Sequence, residues 1–149
     1  MTPETVLLDV GTGSGILGIT ALKLGANTVF GTDLDENAIT AVGENLEANG
    51  ISGESFTVLQ GNIIDDKAVQ DAAGYEKYDI AVANILADVI IMLQREIPVH
   101  LKKGGIFITS GIINMKEEAV RAAFAANDAF EVIEVAYQGE WLSVTARKK

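Results

Sequence analysis

The chain has 149 residues, 48% of them hydrophobic, and a formal net charge of −10, which suits one globular domain with a sizeable core and excludes a disordered chain. With no cysteine and a single histidine, His100, it can form neither disulfides nor thiolate or His-rich metal sites. Its 21 acids against 11 bases argue against a nucleic-acid enzyme, which carries a basic face, and suit a cationic cofactor and a basic protein partner. No apolar run reaches membrane-spanning length and no signal peptide is visible, so no membrane partner and a soluble, cytoplasmic protein are expected.

Only residues 1–4 precede the first strand, as a full-length protein or an excised domain could begin. The apolar run Val6, Leu7, Leu8 reads as a buried strand with Asp9 near its end. Gly11, Gly13 and Gly15 follow, and a helix is predicted over 14–24, apolar nearly all round, with Gly25 as its C-terminal cap. A strand over 28–32 delivers Asp33 and Asp35. Asp35 is a suitable N-cap for the next helix, whose inward stripe is Ile39, Val42 and Leu46. A strand over 55–59 leads into Gly61 and Asn62, and the polar stretch 65–74 is a short helix or loop. A strand over 78–83 ends at Asn84. The helix over 86–100 is kinked or shortened by Pro98. Residues 102–105 are a turn into a strand over 106–109, followed by a helix over 116–127. Strands over 130–137 and 141–146, joined by three residues, must form an antiparallel hairpin. The alternation predicts an α/β fold, a doubly wound and mostly parallel sheet, in which the loop after the first strand lies at the ligand-binding edge.

Two ligand classes use such a loop, and the spacing separates them. In the dinucleotide fingerprint G-x-G-x-x-G/A, the third small residue would fall on Ile16. Here it is Gly15, giving Asp9-x-Gly11-Thr12-Gly13-x-Gly15. A carboxylate beside the loop suits a cation and repels a pyrophosphate, which needs N–H groups and a helix dipole. A glycine-rich turn without any ligand is the plainer alternative. Asp33 lies 20 residues after Gly13, the separation at which an acid accepts hydrogen bonds from a ribose diol. The ribose is therefore assigned to Asp33 and the helix cap to Asp35.

The Asp-x-Gly-x-Gly-x-Gly run resembles motif I of the class I S-adenosylmethionine-dependent methyltransferases. That resemblance implies a Rossmann-like, seven-stranded sheet whose last strand is antiparallel and inserted between the fifth and sixth. It also implies S-adenosyl-L-methionine as cofactor, held by Asp9, Gly11, Thr12, Gly13, Gly15, Asp33, Leu34, Asn62, Ile63 and Asn84. Asn62 stands where the family usually has an acid facing adenine, with the Ile63 N–H beside it; Asn62 reads equally as a turn asparagine. Amino-methylating relatives often carry Asn-Pro-Pro-aromatic after the fourth strand. This chain keeps Asn84 and lacks the prolines and the aromatic, so a flat base has no stacking platform, whereas an aliphatic amine needs none.

Four segments, Leu8–Leu17, Gly31–Asp35, Ala83–Ala87 and Gly139-Glu140-Trp141, are similar to the catalytic domain of the bacterial ribosomal large-subunit protein eleven methyltransferases. The similarity runs over essentially the whole chain. It implies methylation of lysine ε-amines and an N-terminal α-amine on a basic ribosomal protein, with no direct nucleic-acid contact. Residues 1–149 would then be the catalytic domain, without the family's N-terminal substrate-binding domain or its cofactor-enclosing Thr-Gly-x-His-x-Thr-Thr stretch. Self-association through apolar surface thereby uncovered is an expected consequence. Trp141 borders the substrate mouth on this resemblance; alternatively it packs on a terminal strand. His100 has no catalytic role.

The chemistry this resemblance implies is in-line displacement at a sulfonium methyl by a neutral amine. Asn84 would be the catalytic residue, its side-chain carbonyl and a neighbouring backbone carbonyl accepting the amine hydrogens and stabilising the charge growing on nitrogen. No general base is evident. The rival readings are a small-molecule or RNA methyltransferase on the same fold, a cofactor-binding module inactive on its own, and a nicotinamide enzyme, which Ile16 disfavours.

Overall fold

The structure, a computed structural model, describes residues 1–149. The chain divides into two compact units, Met1–Gly74 and Tyr75–Lys149.

The first unit comprises β1 (Val6–Val10), α1 (Ile16–Lys23), β2 (Thr28–Asp33), α2 (Asn37–Ala48), β3 (Phe56–Gln60) and α3 (Lys67–Ala73). Its strands are parallel in the order β3-β2-β1, with Asp9 opposite Gly31 and Val29 opposite Phe56. Leu7 and Leu8 are adjacent and both buried, as in a strand covered on both faces. The inward stripe of α2 is Ala38, Val42 and Leu46. Ile39, expected there, is half exposed: residues spaced by four lie along one row of the helix, and Ile39 is turned off that row. In α1 the buried residues are Gly18, Ile19 and Ala21, while Ile16 and, just past the helix end, Leu24 are exposed. Asp66 caps α3, its side chain accepting from the Ala68 N–H at 3.0 Å.

The second unit comprises β4 (Tyr78–Asn84), α4 (Ala87–Leu93), β5 (Leu101–Ile113), α5 (Glu117–Ala125), β6 (Phe130–Gln138) and β7 (Trp141–Lys148). Single 3-10 turns at Ile97–Val99 and Asn114–Lys116 precede β5 and α5. The expected helix over 86–100 therefore stops at Leu93, and Pro98 sits in the first turn of its own short 3-10 segment, where its missing N–H costs nothing. The expected turn at 102–105 falls within β5: Tyr78 pairs with Leu101 and Ile80 with Ile106, so these four residues bulge out of the ladder. Strands β4 and β5 are parallel, and β7 is antiparallel to both β5 and β6. Phe107, Phe124 and Phe130 form a mutually packed aromatic core, with ring centroids 5.6–6.0 Å apart. His100 is fully buried. Its Nε2 lies 2.7 Å from Glu96 Oε2, and its ring stacks on Tyr75.

The sheet is seven-stranded and mixed, in the order β3-β2-β1 within the first unit and β4-β5-β7-β6 within the second, with the last strand inserted antiparallel. This is the α/β arrangement expected. No helix is long and apolar enough to cross a membrane.

Candidate functional site

The loop between β1 and α1 follows from its glycines. Gly11, Gly13 and Gly15 have φ of 72°, 56° and 84°, so alternate residues take the left-handed conformation that a side chain disfavours. The G-x-G-x-G spacing is this alternation written in sequence. Hydrogen bonds tie the loop down. The N–H groups of Gly11 and Thr12 both donate to the Thr32 carbonyl, at 2.8 and 3.0 Å, and the Gly15 N–H donates to the Thr12 carbonyl at 2.8 Å.

Asp9 and Asp33 hold the loop from two sides. Asp9 is buried beneath it and accepts from the Thr12 hydroxyl at 2.8 Å through Oδ2, while Oδ1 is buried with no hydrogen-bond partner. Burial pushes the Asp9 carboxyl up to about 6. Asp33 accepts from the Gly13 N–H at 2.8 Å through Oδ2 and from the Asp35 N–H at 2.9 Å through Oδ1. Asp33 therefore clasps the glycine loop directly, a role that the 20-residue spacing alone did not reveal. Its carboxylate keeps lone pairs for further donors. Asp35 accepts from the Asn37 N–H at 2.9 Å, the capping bond expected, although the helix is entered through Glu36.

The remaining predicted residues of this unit divide by exposure. Leu34 stands out from the end of β2 and is 69% exposed. Ile63 is fully buried, and its carbonyl accepts from the Gln70 side-chain amide at 2.9 Å. Asn62 Oδ1 accepts from the Ile64 N–H at 3.0 Å, which is the turn role. Asn45 was missed from sequence: its Nδ2 donates to the Ser14 carbonyl at 2.8 Å, fastening α2 to the loop. Its signal was an asparagine, a weak helix former, in mid-helix between Val42 and Leu46.

Charge is divided unevenly. Residues 1–74 hold eleven acids and two bases, Lys23 and Lys67, so they carry nine of the chain's ten net negative charges. With so few bases there is little to neutralise a pyrophosphate. A buried, unpartnered carboxylate oxygen on Asp9 and open space beyond Gly13, where an added Cβ would meet nothing within 4 Å, fit a cationic nucleoside cofactor.

In the second unit, Asn84 ends β4 opposite Ser110 of β5. There β5 bulges: Thr109 pairs with Val144 and Ile112 with Leu142, leaving two residues against one. The extra residue is Gly111, with φ of 74°. Its bare Cα faces Asn84 Oδ1 and, further off, the Ile85 carbonyl. Gly111 was not foreseen, because nothing short of the strand pairing marks it. Trp141 is half exposed. It lines a cavity of about 340 Å³ with Ser110, Gly111 and Tyr137, so it is not packed away on its strand. The tip of the β6–β7 hairpin is anchored by the Asn114 N–H donating to the Glu140 carbonyl at 2.8 Å and by the Tyr137 hydroxyl donating to Glu117 at 2.5 Å.

Comparison with known proteins agrees with this construction. The sequence profile of the family "Ribosomal protein L11 methyltransferase (PrmA)" matches residues 1–149. The chain is 57% identical to the ribosomal protein L11 methyltransferase of Lachnospira eligens over 143 residues, 96% of this chain and 45% of that protein. It is 46% identical to that of Desulforapulum autotrophicum over 98% of this chain and 46% of that one. The chain thus spans about half the length of the curated relatives it matches. The crystal structure of a ribosomal protein L11 methylase from Lactobacillus delbrueckii subsp. bulgaricus superposes with a TM-score of 0.85 at 34% identity, covering 97% of this chain and 69% of that one. An RNA methyltransferase from Salinibacter ruber, solved with S-adenosyl-L-homocysteine, shares the fold alone, with a TM-score of 0.74 at 13% identity. By its glycine loop, its strand order and these matches, the chain belongs to the ribosomal protein L11 methyltransferase family.

Proposed function

We propose that this chain is the methyl-transferring part of an S-adenosyl-L-methionine-dependent N-methyltransferase whose acceptors are the lysine ε-amines and N-terminal α-amine of a basic ribosomal protein. The observation that carries this reading is the loop from Gly11 to Gly15, closed onto Asp33 and set in a stretch bearing nine net negative charges. The residues that would hold the cofactor are Asp9, Gly11, Thr12, Gly13, Gly15, Asp33, Leu34, Asn62 and Ile63, with Asn84 at the transferring end. Bound there, S-adenosylmethionine supplies an electrophilic methyl on a sulfonium.

The chain's own residues have three tasks. Asp33 fixes the loop through the Gly13 N–H and retains acceptor capacity for a ribose diol. Asp9 holds Thr12 from beneath and adds negative charge under the loop. The Asn84 side-chain carbonyl and the Ile85 carbonyl offer two acceptors for the hydrogens of a neutral amine, which orients its lone pair and stabilises the positive charge it gains. Ile85 and Leu86 follow Asn84 where a flat base would need an aromatic platform, which favours an aliphatic amine over an RNA base.

Calorimetric titration with S-adenosyl-L-homocysteine beside NAD tests the cofactor; heat with NAD and none with the homocysteine overturns it. Transfer of labelled methyl to the ribosomal protein tests the reaction. Asn84→Ala should depress turnover by about tenfold or more while the homocysteine Kd stays within about twofold. Unchanged turnover would remove Asn84 from the mechanism.

A further inference from the structure

We infer that Gly111 is a positioning residue: the glycine in the β5 bulge is the seat against which the Asn84 carboxamide is set. The inference rests on the amine-methyltransferase reading for its catalytic meaning and on geometry for its physical one.

Strand β5 gains one residue against β7 at 110–111, because Thr109 pairs with Val144 and Ile112 with Leu142. A bulge of this kind bends a strand and re-aims what lies beside it. Gly111 takes a φ of 74°, the left-handed value that lets one extra residue fit. The side of Gly111 that would carry a Cβ is already occupied. An atom built there collides with Asn84 Oδ1, and it would lie 3.5 Å from Asn84 Cγ and 3.8 Å from the Ile85 carbonyl oxygen. Other left-handed glycines differ. At Gly104, in the same strand with φ of 81°, an added Cβ meets nothing within 4 Å. The close approach at Gly111 is therefore not a by-product of the backbone conformation.

The Asn84 carboxamide thus leans on one bare Cα, while the Ile85 carbonyl stands at ordinary van der Waals distance from a carbon added there. A terminal amide turns about its last torsion through a broad, two-fold well, so an exposed asparagine is poorly fixed unless something bounds it. Gly111 provides that bound on the β5 side. A methyl in its place must either rotate the Asn84 amide or shift the bulge, and each moves an acceptor away from the reacting nitrogen. Alignment errors of about an ångström cost on the order of a hundredfold in rate at such sites.

The test is a double-mutant cycle on the full chain: Gly111→Ala, Asn84→Ala and the double variant, with Gly104→Ala as the control for backbone strain alone. Gly111→Ala should lower kcat by about tenfold or more, with KM and the homocysteine Kd within about twofold. Gly104→Ala should leave kcat within about twofold, whatever it costs in Tm. In the Asn84→Ala background, Gly111→Ala should have no further effect on kcat and should recover part of the Tm it lost, because the colliding atoms are gone. Independent, multiplicative losses would overturn the inference, as would unchanged kcat in Gly111→Ala. A second readout needs no turnover. The side-chain amide resonances of Asn84 should move in the nitrogen–proton spectrum of Gly111→Ala and stay in place in Gly104→Ala; if they stay in place in both, Gly111 does not position Asn84. Absence of S-adenosyl-L-homocysteine binding by the unmodified chain would sink the proposed function, and the spectrum would still decide the role of Gly111.

Discussion

Replacing Asp9 by asparagine should remove a pH dependence that is built into the base of the glycine loop. Asp9 is 1% exposed, with one oxygen on the Thr12 hydroxyl and the other unpartnered. Burial raises its carboxyl from the ordinary 3.8 to about 6. Between those two values the folded chain holds a proton that the unfolded chain has released. The group therefore stabilises the fold below its unfolded value, and that stability is lost as pH rises through the folded one. The whole rise corresponds to ~3 kcal/mol, of which about half is lost between about pH 5 and about pH 8. That range lies above the isoelectric point near 4.4, where the chain keeps a net charge. The amide of Asp9→Asn still accepts from Thr12 and does not titrate. Urea unfolding, followed by the single tryptophan, gives the free energy of both proteins across the range. The difference between variant and parent should grow in the variant's favour by ~1–2 kcal/mol from the acid to the alkaline end, whatever its absolute value. A flat difference, or one that grows the other way, would mean that Asp9 is ionised like an exposed carboxylate and that the burial argument is wrong.

The two neighbouring acids at and just past the end of β2 should separate by function. Asp33→Ala should weaken binding of S-adenosyl-L-homocysteine by ~1.5–3 kcal/mol in calorimetry, since it removes a charged acceptor and releases the Gly13 N–H. Asp35→Ala should lower unfolding stability by ~0.5–2 kcal/mol with little change in that affinity, because its bond goes to the Asn37 N–H at the start of α2; the reverse pattern would exchange their roles. Gly18→Ala should destabilise despite the better helix former. The added carbon would lie 2.7 Å from Phe56 Cζ and 2.9 Å from Val29 Cγ1, so overpacking of ~1–3 kcal/mol exceeds the ~1 kcal/mol gained in helix propensity. A raised Tm for this variant would show that the contact between α1 and the sheet is slack.

The sequence by itself determined the features that follow from local chain chemistry. Alternate glycines after an apolar run fixed a left-handed loop between β1 and α1, since few other residues take those φ values in succession. Two strands separated by three residues had to pair antiparallel, and β6 and β7 do. Patterning failed where the deciding force acts across the fold. The stripe of α2 could be drawn through Ile39 or Ala38, and only the surface it packs against chose Ala38. Residues 102–105 look like a turn between elements, yet Leu101 pairs with Tyr78 before them and places them inside β5. Asp33 could be read by its spacing as a ribose ligand, but its bond to Gly13 spans 20 residues and exists only once β1 and β2 lie side by side. Gly111 shows the limit most plainly. Its neighbours in sequence give no hint of Asn84, and the bulge that brings the two together comes from the register of β5 against β7. Register is set by which faces are buried, and burial is a property of the assembled sheet rather than of any one strand.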